Sequence, residues 1–203
     1  MSTYRLLAAL TVASITASHV EAQSAQRISG QVSAISVAPS GDAYEGMSSG
    51  IGFEGQLRYT PSAFSLGAGY QQSGHDVDMG VEFGTEDATI SGFFIEPRYV
   101  LAVGSDAWAP YISARLARLT QAADVTVDDI DVEISASGTQ LNLGGGALIR
   151  LASRVNLDLG LTYGKIDFDD GEISAEGETF VVEGSGGSGN NLVLRVGVTV
   201  GLR

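Results

Sequence analysis

The chain contains no cysteine, so neither a disulfide framework nor a thiolate metal site is open to it. Basic residues are scarce. Eleven Lys and Arg stand against 24 Asp and Glu, a formal net charge of −13, and repulsion by phosphates argues against nucleic acid as a partner. Long apolar runs are scarcer still. The one continuous stretch, Leu6 to about Ala17, falls well below the roughly 20 residues a spanning helix needs. Preceded by Arg5 and followed by Val20-Glu21-Ala22, it reads as a secretory signal cleaved before Gln23. Residues 1–22 are therefore expected to be the signal peptide and 23–203 the mature domain. Beyond residue 22 no run is long enough for a helical span, so any membrane insertion must use strands.

What remains is alternation. From Leu192 to Arg203 the apolar side chains Leu192, Leu194, Val196, Val198, Val200 and Leu202 share one face, and Arg195, Gly197, Thr199 and Gly201 fall on the other. Seven further segments repeat the pattern. Around 27–37 the parity slips after Ala34, which predicts a bulge. Segment 50–60 sets Ile51, Phe53, Leu57 and Tyr59 against Glu54, Gln56 and Arg58, and the next sets Phe64, Leu66, Ala68 and Tyr70 against Gly67, Gly69 and Gln71. The others center on Phe93–Leu101, Trp108–Leu116, Leu141–Ile149 and Val155–Tyr163. Pro97 lacks the N–H that a paired strand uses, predicting a bulge or distorted pair beside it.

Each segment approaches the roughly 9–11 residues of a tilted transmembrane strand. Short and long connections alternate between them. An even strand count puts both termini and the short turns on one side, which is periplasmic in a bacterial outer-membrane barrel, and four long loops on the other. Tyr59, Phe64, Tyr99 and Trp108 cluster beside the short turns, while Phe53, Tyr70, Phe93 and Tyr163 lie toward the long loops, as two interfacial girdles would. The expected fold is all-β: an eight-stranded antiparallel transmembrane β-barrel.

The chain resembles the outer-membrane β-barrel domain family, the small OmpA- and OmpX-like eight-stranded barrels, over essentially the whole mature region. Phe94-Ile95-Glu96-Pro97-Arg98-Tyr99 looks like a common fourth-strand phrase of that family. Gly197, Val200 and Leu202 resemble the positions of its C-terminal assembly signal, although the chain ends in Arg203 rather than an aromatic residue. The resemblance implies location in a Gram-negative outer membrane, contact with lipid and lipopolysaccharide, dependence on the assembly machinery, and a monomer.

The charges then divide by place. Inward parity collects Arg58, Arg98, Arg115, Arg150 and Arg195 with Glu54, Glu96 and Asp158. Buried charges must be paired, and eight strands leave a bore only wide enough for side chains to fill. The expectation is a lumen plugged by an Arg–carboxylate network, with inward glycines making room for the arginines. A narrow channel or transporter for small solutes is the alternative, because inward arginines outnumber inward acids. A soluble lipocalin-like periplasmic barrel is a second alternative, and it requires the opposite parity.

The long loops hold 19 of the 24 acids and no basic residue. A solvated, repulsive surface accounts for most of them. Asp167, Asp169, Asp170 and Glu172 are candidate Ca²⁺ or Mg²⁺ ligands, although their glycine sits one place early for an EF-hand loop. Val125, Val127, Ile130, Val132 and Ile134 alternate around Asp128-Asp129, predicting a hairpin that carries two strands above the membrane. Thr179–Val182 is placed to extend the fourth loop similarly. Such loop hairpins are where an extracellular partner would dock. For catalysis only Ser73, His75 and Asp76 or Asp78 stand near one another, with no recognized motif, so no catalytic residue is assigned. The functional expectation is a non-enzymatic structural or surface-interaction protein of adhesion-like type.

Overall fold

A computed structural model describes residues 26–78, 85–127, 130–175, 178–183 and 185–202. The signal peptide with its boundary at residue 22, the Asp128-Asp129 turn and Arg203 lie outside them. Among the described residues, no helix is long and apolar enough to cross a membrane.

Ten strands form in chain order: β1 (Ile28–Ser40), β2 (Gly50–Tyr59), β3 (Phe64–Asp78), β4 (Thr85–Val100), β5 (Trp108–Val127), β6 (Ile130–Ala152), β7 (Val155–Phe168), β8 (Gly171–Ala175), β9 (Glu178–Val182) and β10 (Ser188–Gly201). Every pairing is antiparallel. The ring runs β1-β2-β3-β4-β5-β6-β7-β10 and closes through β10 on β1, so eight strands make a barrel without an edge. β8 and β9 stand outside it as a hairpin on the far end of β6.

Parity decides which way each side chain points. Ile51 is 78 % exposed, Phe93 72 % and Leu143 61 %, while Glu54, Glu96 and Asp158 are wholly buried. Apolar groups face outward and charges inward, the reverse of a lipocalin. On β2, β3 and β4 the girdle aromatics lie six residues apart (Phe53 and Tyr59, Phe64 and Tyr70, Phe93 and Tyr99), about 20 Å along a strand.

Register explains how so much charge fits inside. Bulky inward groups lie opposite inward glycines on the neighboring strand: Arg58 and Glu96 both flank Gly67, Arg195 faces Gly160, Tyr111 faces Gly146 and Asp158 faces Gly197. A Cβ on Gly160 would stand 2.8 Å from the Tyr111 hydroxyl and 2.9 Å from Arg195 Nη2. Only a residue without a side chain leaves that space.

One local expectation changes and another is narrowed to one of its two forms. β1 has no bulge: it keeps one register with β2 and with β10 past Ala34, and Ile35 and Val37 point inward to pack on Val193. The apparent slip arose from reading apolar as outward, whereas the long-loop half of the lumen also holds apolar side chains. At Pro97 the β4–β5 ladder breaks at Glu96 and Pro97 and resumes at Arg98 in the same register, so the pair is distorted without an inserted residue.

Above the girdle the strands run on. β5 and β6 stay paired to Val127 and Ile130, and β3 and β4 to Asp78 and Thr85. Arg118 and Lys165 therefore stand among the loop acids, paired to Asp169 at 2.5 Å and to Asp167 at 2.6 Å. The first long loop folds back over the bore. Its short 3₁₀ turn (Asp42–Tyr44) drops Tyr44 between Ile90, Phe94, Leu119 and Ile166, edge-on to Phe168 at 5.8 Å. Gly189 beneath it permits the contact, since a Cβ there would lie 2.5 Å from the ring.

Candidate functional site

Midway along the bore the inward charges meet. Glu96 is the hub. Its carboxylate accepts from Arg58 (2.8 Å), Arg98 (2.5 Å), Arg115 (2.5 and 2.8 Å) and Arg195 (2.9 Å). Glu54 accepts from Arg115 at 2.7 Å and Arg195 at 3.2 Å. Asp158 accepts from Arg98 and from the Tyr111 hydroxyl, both at 2.6 Å, and that hydroxyl accepts in turn from Arg195 at 3.0 Å. The arginines also lie against rings: Arg115 is 3.8 Å from the Phe94 centroid and Arg98 is 4.3 Å from that of Tyr111.

These bonds span the barrel rather than following its wall. Arg195 on β10 and Glu96 on β4 belong to strands four apart in a ring of eight, and so lie diametrically opposed. Arg98 to Asp158 joins β4 to β7, and Arg115 to Glu54 joins β5 to β2. Together they brace the bore from three directions. Toward the long loops, an Asn142–Asn191 bond at 2.8 Å and the Tyr44 cluster fill the section above. Toward the short turns, Gln31 bonds Ser33 at 2.9 Å and accepts from Thr199 at 3.3 Å.

Of the eight residues singled out at inward parity, the described ion pairs join seven: Glu54, Arg58, Glu96, Arg98, Arg115, Asp158 and Arg195. Arg150 is not among them. It faces inward opposite Asn156 at the end of β6, half-buried, where pairing with β7 shifts between Arg150 and Ala152. Tyr111, Phe94, Gln56 and Gln71 also belong to the site and were not singled out. Their signal was present: Tyr111, Phe94 and Gln56 share the parity of the inward charges on their own strands, and Gln71 shares that of the inward Gly67 and Gly69.

The four metal candidates are not brought together. Asp167 and Asp169 are ion-paired to Lys165 and Arg118, Asp170 accepts from the Gly186 N–H at 3.3 Å, and Glu172 lies on β8. Among the described residues, no three acidic or histidine side chains converge as a metal site would require.

Ser73 and His75 do meet. Nδ1 of His75 lies 3.0 Å from the Ser48 carbonyl, which can only accept, so Nδ1 carries the proton and Nε2 accepts from the Ser73 hydroxyl at 2.9 Å. Both side chains are buried, and a carbonyl stands where a catalytic triad places its carboxylate. The contact ties the first loop to β3.

A closed eight-stranded ring with an apolar exterior, charged interior and two aromatic girdles is a membrane-spanning architecture. The model of the outer membrane protein beta-barrel domain matches residues 6–199. The chain belongs to that family. Its place is accordingly the outer membrane of a Gram-negative bacterium. Solved barrels share the fold at low identity. Neisserial surface protein A is 18 % identical with a TM-score of 0.57, covering 86 % of this chain and 97 % of that one. OprG from Pseudomonas aeruginosa is 12 % identical at 0.55, covering 89 % and 98 %, and Ail, the attachment invasion locus protein of Yersinia pestis, is 11 % identical at 0.51, covering 86 % and 97 %. No curated protein matches the chain significantly.

Proposed function

We propose that this barrel is a non-enzymatic surface-interaction protein in which a plugged, rigid bore holds an adhesive strand edge outside the cell. In this reading the short turns face the periplasm and the long acidic loops face outward, following the usual asymmetry of such barrels. The observation that carries the reading is the β8–β9 hairpin. It docks on the raised end of β6 through Val132–Ala175 to Ser135–Glu172, and among the described residues β9 then has a partner on one side only. Phe180 and Val181 on β9 are 58 % and 62 % exposed. An open apolar edge is a template for another strand, and a braced barrel supplies the stiff base that such a template needs. Burial of Ser73 and His75, with the Ser48 carbonyl at Nδ1 of the ring, supports the non-enzymatic part.

The test uses lipid vesicles carrying the refolded chain over surfaces coated with extracellular-matrix proteins. The native chain attaches, and Thr179→Pro/Val181→Pro, which disrupts β9 far from the barrel, loses attachment while migrating as folded protein. Equal attachment by both chains, or none by either, overturns the adhesive reading.

A further inference from the structure

The buried cluster is not electrically neutral. Four guanidinium groups (Arg58, Arg98, Arg115, Arg195) share the three carboxylates of Glu54, Glu96 and Asp158, and none of the seven side chains is more than 5 % exposed. Arginine does not give up its proton in proteins, so one positive charge is in excess. The described residues near the short turns add to it: Arg27 precedes β1, Arg154 lies in the β6–β7 turn and Arg150 faces inward at the end of β6, against Asp106 alone.

Two of the buried donors that lack acceptors lie on the same side. Arg98 commits Nε to Glu96 and Nη1 to Asp158, and its Nη2 has no partner. Arg58 commits both Nη atoms, and its Nε has none. Both residues line one cavity of about 30 Å³ at the short-turn end of the bore, together with Ser65, Asn156 and Thr199. The space accepts a particle the size of a water or a halide. A buried charge without a counter-charge is expensive, and hydroxyl and guanidinium N–H groups are the donors that an anion takes.

We propose that this cavity binds a small monovalent anion of chloride size, held by Arg58 and Arg98 with the hydroxyl of Ser65. The anion enters from the short-turn mouth and restores neutrality. The bonds of Glu96 close the bore above it, so the cavity is a terminal site.

The test is bromide. Crystals of the refolded protein grown in sodium bromide show an anomalous peak between Arg58 and Arg98. In solution, the native chain broadens the chloride-35 resonance beyond buffer, and bromide reverses the broadening. Arg58→Gln, which makes the cluster neutral, weakens binding at least tenfold, and Ser65→Ala, which removes one donor without changing charge, weakens it severalfold. A cavity without an anomalous peak, or one holding only water, overturns the proposal. So does broadening that is equal in the native chain and Ser65→Ala.

Discussion

Replacing Glu96 by Gln removes one charge from the center of the bore while preserving shape. Four arginines lose their common carboxylate, and the cluster goes from four cations over three anions to four over two. One ion pair at about 4 Å contributes ~4 kcal/mol at an effective dielectric near 20. The contributions do not add, because the arginines also repel one another and the glutamine oxygen still accepts. Removing one partner of a buried pair typically costs about 3–5 kcal/mol, and that is the expected loss. Urea unfolding in lipid vesicles measures it, and Trp108, the chain's only tryptophan, reports the transition from the lipid interface. Asp169→Asn is the control. Its pair with Arg118 is more than half exposed, so its loss stays within about 1 kcal/mol. A Glu96→Gln chain as stable as Asp169→Asn would refute the idea that the cluster braces the barrel.

Gly160→Val pushes a side chain against Tyr111 and Arg195, and destabilization by about 1–3 kcal/mol is expected in the same unfolding assay. Gly55→Ala, which meets nothing within 4 Å on the outer face, stays within about 0.5 kcal/mol. Burial holds the His75 imidazole below its ordinary value of 6.5, opposed in part by the Ser48 carbonyl and by Asp76. The folded chain then binds fewer protons than the unfolded one, so this contribution is complete above pH 6.5 and is lost as pH falls from there through the folded value. Unfolding free energy measured from pH 7.5 to 5 declines less steeply in His75→Gln than in the native chain; parallel profiles would contradict the assignment.

Period-two alternation carried most of the fold, because a barrel wall admits only two directions for a side chain. It located all eight wall strands and the inward parity of Glu54, Glu96, Asp158 and four arginines. It misread β1, where Ile35 and Val37 are apolar yet inward, because alternation tells polar from apolar and not inside from outside. It also passed over Tyr44. That residue sits in a loop, and its burial depends on Gly189 from a strand far along the chain. Arg150 had the right parity, but its height along the bore follows from strand stagger, which no single segment encodes. The loop acids shared a short stretch of sequence, yet extension of β5 and β7 set Arg118 and Lys165 beside two of them.

We propose that the Arg–carboxylate brace and the Tyr44 cluster together close the bore. Planar-bilayer recording of the folded native chain in molar potassium chloride tests it directly. The expected trace stays at the conductance of the bare bilayer; a steady ohmic current that scales with the amount of folded protein inserted would contradict it.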